Sequence, residues 1–215
     1  MDPDSDSQIE LQKLVLTWGP TPKVSTEGAQ PGFVSHSNRY TLAVETEFFK
    51  PVPEYLDADE ACVCVFGNPI VRDRIDRRAA AQACLDSQCD SRSILGLNGE
   101  FLIVHFDKVK NRLSVVNDRF TSVPFYFHFQ EDVLIGSVAY VDLWLALKKL
   151  GKAQLRDETF FEMLWFRRVL GSKTLDTRSE FLPASHRLVL EGATARRTAY
   201  WRPDYTKATS RSLAD

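Results

Sequence analysis

The stretch LNGEFLIVHFDKVKNRLSVVNDRF, residues 97–120, decides the fold. Residues 99–106 form a nearly unbroken apolar run, DKVKN is a polar turn, and residues 112–117 return as a second apolar segment. That pattern is an antiparallel hairpin. Toward the C-terminus, residues 123–129 and 133–137 predict a second hairpin around QED. Phe125, Phe127 and Phe129 fall on one face by the strand period of two, with Tyr126 and His128 on the other. So dense an aromatic face reads as sheet core, because large aromatics dominate core burial.

Toward the N-terminus, ACVCVFG (residues 61–67) is the short, continuous apolar run of a buried strand. Residues 11–18 and 39–49 are also strand-like. Residues 19–32, with three prolines and three glycines, and residues 50–60, with Pro51 and Pro53, read as loops. Ile75, Ala79, Cys84 and Leu85 approximate a helical stripe over residues 71–87. Arg72, Arg74, Arg77 and Arg78 alternate there with Asp73, Asp76 and Asp86, which favours a solvated helix face over an anion site. Residues 141–151 predict a helix stopped by Gly151. Residues 157–169 predict another, with Thr159 and Glu162 as a capping box and Gly171 as a stop. A last hairpin turns near Glu191-Gly192. Runs of strands with helices grouped between them define an α+β chain of mainly antiparallel sheets.

A chain of 215 residues can bury one good-sized core. A formal charge of −2 gives no general attraction to nucleic acid or an anionic membrane. No apolar run is long enough to cross a bilayer, and the acidic start is unlike a signal peptide, so a cytoplasmic location is expected. Residues 1–10, with four acids, predict a flexible tail.

The four cysteines have no zinc-binding spacing. Cys62 and Cys64 share one strand face, while Cys84 and Cys89, five apart on the predicted helix, point away from each other. Buried reduced thiols are expected. The four histidines are too scattered for a metal site, and His105, beside Phe101 and Ile103, reads as a satisfied core or edge histidine. Asp118 and Arg119 read as a turn-capping salt bridge. No glycine-x-serine-x-glycine is present to suggest a serine nucleophile.

These segments together resemble the glutamine amidotransferase domain of asparagine synthetase-like proteins, a group that includes β-lactam synthetases and peptide cyclases. The resemblance rests on Leu97-Asn98-Gly99, Asp107, Asp118-Arg119-Phe120, Pro124 and the aromatics after it, and EFLPASHRLVLEGATARRTAYWRP near the end. Order and spacing agree from about residue 94 to residue 203. The implied fold is a four-layer αββα sandwich of the N-terminal-nucleophile (Ntn) hydrolase kind, built from two mainly antiparallel sheets over residues 11–203. Residues 204–215 would begin a linker or helix toward an absent ATP-dependent synthetase domain. In active members an N-terminal cysteine attacks the glutamine amide with its own amine as base. A backbone N–H and an asparagine hold the oxyanion, and ammonia passes to the synthetase domain.

The chain departs from that pattern at the chemistry. Position 2 is Asp2, and the first cysteine is Cys62. The asparagine-glycine-glutamate oxyanion segment falls at Phe66-Gly67-Asn68, so Gly67 alone remains as a degenerate glutamine-pocket candidate. Thr121 and Ser185 stand where the family has glycines, and Val138 where it has glutamate. No serine-glycine-glycine-x-aspartate loop for ATP pyrophosphate occurs. No residue is therefore expected to be catalytic, and no metal is expected. Asn98, Gly99, Asp118 and Arg119 are motif positions with structural roles.

The implied role is a degenerate domain without glutaminase activity, a structural or docking partner of a synthetase domain in cis or trans. ATP and magnesium are implied only for that absent domain, and a homodimer is compatible with the reading. Two alternatives stand beside it: a glutamine hydrolase with an unrecognised nucleophile, and a free-standing glutamine or amino-acid-binding module.

Overall fold

A computed structural model describes residues 13–20, 32–47 and 51–204. The chain begins with β1 (Lys13–Gly19), β2 (Phe33–His36), β3 (Thr41–Glu47), β4 (Glu54–Asp57), β5 (Ala61–Val71) and β6 (Arg74–Ile75). Helices α1 (Arg77–Asp86) and α2 (Ser91–Leu95) follow, then β7 (Asn98–Asp107), β8 (Arg112–Asn117), β9 (Tyr126–Gln130) and β10 (Val133–Ser137). Helices α3 (Tyr140–Lys149) and α4 (Asp157–Phe166) precede β11 (Glu180–Phe181), β12 (His186–Glu191) and β13 (Thr194–Ala199).

The strands make two sheets, ordered β11-β9-β10-β1-β3-β2 and β13-β12-β8-β7-β5-β4, with β6 appended to β5. Every paired strand is antiparallel. Period-2 alternation then sorts the side chains into layers. Leu102, Val104 and Phe106 of β7 face inward with Trp18 and Leu42 of the other sheet, forming the core between the sheets. Phe101 and Ile103 face outward, where Ala80, Ala81 and Cys84 of α1 and Ile94 of α2 cover them. On the opposite side, Leu143, Ala146 and Leu147 of α3 cover Val15 and Ile135. The result is an αββα sandwich, the layer order the resemblance implies.

Four elements differ from what their sequences suggest. Residues 54–57 are an edge strand and not a loop: Pro51 and Pro53 precede the pairing, where a missing N–H is tolerated. Tyr55 of that strand stacks on Phe33 of β2, ring centroids 4.8 Å apart, and so closes one side of the sandwich. Strand β5 does not stop at Gly67 but runs on to Val71, and Arg72 and Asp73 then turn the chain at positive φ (48° and 66°). Helix α1 accordingly starts at Arg77, where Asp76 Oδ1 accepts the Ala79 amide at 2.8 Å as N-cap. Helix α4 has no capping box: Thr159 Oγ1 donates to the Arg156 carbonyl, and the helix ends at Arg167 in the left-handed region.

Candidate functional site

Phe66-Gly67-Asn68, the segment that the resemblance sets against an oxyanion loop, lies in the middle of β5. Phe66 is fully buried between the sheets, edge-on to Tyr55 at 6.4 Å. Its ring offers no hydrogen-bond donor where the family places an asparagine amide. Asn68, in the glutamate position, is taken up by helix α1. Arg77 Nη1 donates to Asn68 Oδ1 at 3.0 Å and to the Gly67 carbonyl at 3.3 Å. Gly67, which pairs with Phe101, has φ +87°, and Gly99, which pairs with Pro69, has φ +84°. A methyl on Gly67 would collide with the Glu100 carbonyl, and one on Gly99 with the Asn68 carbonyl. The two glycines therefore serve the mutual approach of β5 and β7.

The same neighbourhood collects the other motif positions. Asp118 is fully buried and receives hydrogen bonds from the amides of Phe120 (2.8 Å), Ser122 (2.9 Å), Phe101 (3.3 Å) and Val123 (3.4 Å). A carboxylate with this many backbone donors fixes the loop after β8 and ties it to β7. Arg119 turns the other way. It donates to Asn98 Oδ1 at 2.7 Å and to the Leu95 carbonyl at 2.9 Å, and lies 5.4 Å over the Trp201 ring. Among the described residues no ion pair joins Asp118 to Arg119, so the expected salt bridge is replaced by two separate anchors. Gly67, Asn98, Gly99, Asp118 and Arg119 thus form one cluster.

Asn117 belongs to this cluster and was not singled out from sequence. Its amide donates to the carbonyls of Leu182 (2.9 Å) and Pro183 (2.7 Å), and its Oδ1 accepts the His186 amide at 3.0 Å. Its carbonyl accepts Tyr200 Oη at 2.7 Å. The signal available was position: a buried asparagine at the end of an apolar strand, directly before the Asp118 turn. Thr121 and Ser185, the two replacements for family glycines, have φ +59° and +60°. Both residues hold the left-handed conformation that glycine favours, without being glycine.

The remaining candidates lie elsewhere. Cys62 and Cys64 are buried in the inter-sheet core, and burial pushes the Cys62 thiol up to about 11 and the Cys64 thiol well above its usual value. Cys84 and Cys89 do not point apart. The chain reverses after α1 through Gln88 and Cys89 (φ 53° and 55°), the Cys89 amide donates to the Cys84 carbonyl at 2.7 Å, and the neighbouring thiols push each other's ionisation in opposite directions, Cys84 up and Cys89 down. His105 is fully buried beside a cavity of about 520 Å³ that Asp107 and Glu60 also line. It is not satisfied: neither ring nitrogen has a partner among the described residues. Burial pushes its imidazole down to about 4, with Asp107 opposing and Arg187 assisting. Among the described residues no group of three His, Cys, Asp or Glu side chains could hold a metal, and no helix is long and apolar enough to cross a membrane.

These features define the class: an αββα sandwich of two antiparallel sheets in which Asp118, Asn117 and Arg119 anchor the loops between strands through backbone and side-chain hydrogen bonds. No protein-family model matches the sequence, and no curated protein sequence matches it. Among solved structures, one described as the allosteric regulatory enzyme of purine biosynthesis aligns with a TM-score of 0.48 and 8% identity, over 89% of this chain and 44% of that one. The glutamine phosphoribosylpyrophosphate amidotransferase from B. subtilis, complexed with ADP and GMP, aligns with a TM-score of 0.46 and 9% identity, over 89% and 44%. The chain spans less than half the length of either. Likeness at this level carries no functional argument, and the fold stands on the two sheets themselves.

Proposed function

We propose that this chain is a degenerate class II glutamine amidotransferase-like domain of the asparagine synthetase-like kind. It has no glutaminase activity and acts as a structural or docking partner of an ATP-dependent, amide-forming synthetase domain. The observation that carries this reading is the backbone at Thr121 and Ser185. Both residues hold positive φ at the two places where the family pattern has glycine. A β-branched threonine does not choose that conformation for itself; the surrounding loop imposes it. The loss of glutaminase activity is supported by Phe66, whose buried ring occupies the oxyanion asparagine's place, and by the burial of all four cysteines. ATP and magnesium belong, on this reading, to the synthetase domain, and no residue of this chain is assigned to them.

The test is ammonia release from glutamine by the purified protein, read by a coupled glutamate dehydrogenase assay. The expected rate equals the no-protein background. Sustained turnover above it overturns the reading. In a reconstituted pair with the synthetase domain, amide formation from a free amine should rise when this chain is added. A requirement for glutamine as nitrogen donor would count against the proposal.

A further inference from the structure

Helix α4 is inverted. A surface helix normally buries its apolar stripe and shows its polar one. Here Thr159 is the one fully buried residue, and Glu162 faces the body of the protein, bound to Lys173 and accepting the Leu170 amide at 2.9 Å. The apolar side chains point outward. Trp165 is 80% exposed, and Phe160, Phe161, Leu164 and Phe166 are 59–62% exposed, with Leu155 and Met163 beside them. Four aromatic side chains at this exposure leave on the order of 400–600 Å² of ring surface in water. That alone matches the ~300–600 Å² of the largest apolar patch on a typical monomer. The aliphatic neighbours bring it close to the ~800 Å² per partner of a standard interface.

We propose that this face is the contact of a two-fold homodimer, formed by antiparallel packing of α4 on α4 of a second copy. The helix and its C-cap read Asp-Glu-Thr-Phe-Phe-Glu-Met-Leu-Trp-Phe-Arg-Arg from Asp157 to Arg168. A two-fold axis between Phe161 and Leu164 sets each of these against the other in the partner and sets Phe160 against Trp165. It also sets Asp157 and Glu158 of one copy against Arg168 and Arg167 of the other. A surface made for self-association has to be complementary to itself in this way. The acids at the helix start and the arginines just past its end supply that complementarity. All four are exposed, and none has an ion-pair partner among the described residues. The cleft beside the helix, about 340 Å³ and walled by Met163, Tyr126, Tyr140 and Phe181, gives the partner's aromatic rings a place to seat. This inference is independent of the amidotransferase reading.

Sedimentation velocity and light scattering of the full chain over a concentration series test it. The expected species is a dimer of twice the 24.5 kDa chain. Phe161→Asp, which places two carboxylates at the axis, should raise the dimer dissociation constant by roughly 30-fold or more. Circular dichroism and the thermal midpoint verify that this variant folds. The double variant D157R/E158R should weaken the dimer by putting arginines opposite arginines, and adding R167E/R168E should restore it. That rescue is specific to an antiparallel self-contact. A monomer across the whole concentration range overturns the proposal, as does a dimer indifferent to Phe161→Asp. A charge swap without rescue overturns it too, because α4 would then be covered by a different protein surface or by another segment of the chain.

Discussion

Gly67 and Gly99 hold β5 and β7 together by mutual exclusion of side chains: a methyl on either collides with the backbone carbonyl beside the other. Both also sit at positive φ. Replacing either with alanine therefore adds strain at φ and forces the strands apart. Each substitution should cost about 2–4 kcal/mol. The pair should be non-additive, because the first substitution already separates the strands the second would push against. Urea midpoints of the two single variants and the double variant measure both effects. Full additivity would show that the approach is incidental.

Asp118 predicts a different kind of loss. Its carboxylate satisfies four backbone amides, that of Phe101 buried and the other three part-buried, two of them below 3.0 Å. Asp118→Ala leaves the buried Phe101 amide without an acceptor and frees the part-buried loop amides to water, so about 2–3 kcal/mol of stability should disappear. Asp118→Asn keeps one acceptor oxygen and should lose less. Arg119→Lys should be milder than either, since an ammonium can still reach Asn98 but loses the stacking on Trp201. Denaturant unfolding ranks the three; an Arg119→Lys loss as large as that of Asp118→Ala would remove Asp118 from the centre of the loop.

Thr121 offers a gain instead of a loss. A threonine at φ +59° carries the left-handed penalty of an L-residue, and its hydroxyl accepts only a long 3.5 Å bond from Asn117. Thr121→Gly should stabilise the protein by about 1 kcal/mol. Thr121→Ala removes the hydroxyl but retains Cβ, and should not reproduce that gain. A glycine variant less stable than the wild type would mean that the loop is not held in the glycine conformation.

Legibility from sequence varied with how local the determining physics was. The β7–β8 hairpin was readable because alternation alone fixes which residues face which layer, and Leu102, Val104 and Phe106 sit inward as the period requires. The aromatics of β9 and the residue before it followed the same rule, with Phe125 and Phe127 in the core and Tyr126 against α3. Strand β4 was hidden by Pro51 and Pro53, since a sheet edge tolerates the residues that disqualify a central strand. The Cys84–Cys89 contact was hidden because it depends on two consecutive non-glycine residues at positive φ, which composition does not announce. The motif cluster was legible as five positions. Its anchoring role was not, because the partners of Asn117 in the segment before β12, in β12 and after β13 lie 65 to 83 residues away in sequence.

His105 makes stability depend on pH. Its folded-state value, pushed by burial to about 4, lies below the ordinary 6.5, so between those values the unfolded chain binds more protons than the folded one. Its contribution is fully present above about pH 6.5 and is lost as pH falls toward 4. The loss is roughly 3 kcal/mol over that window. His128, also lowered by burial, adds to the same slope. His105→Leu should flatten the pH dependence of the urea midpoint between pH 4.5 and 6.5 without abolishing it. An unchanged slope would place the titration elsewhere.

The thiols connect burial to reactivity. A nucleophile that attacks a substrate amide has to be both ionised and reachable. Cys62 and Cys64 fail on both counts, buried between the sheets with their ionisation suppressed by that burial. Cys84 is raised by sharing its proton with Cys89, and Cys89 is lowered as the acceptor of that bond, yet it is as fully buried as the others. Ionisation without access gives no reaction with a substrate. Native protein should therefore react with none of its four thiols when treated with an aromatic disulfide reagent, and all four should react in guanidinium. A single fast equivalent in the native state, abolished by Cys89→Ser, would place a reachable thiolate at the end of α1 and reopen the question of activity.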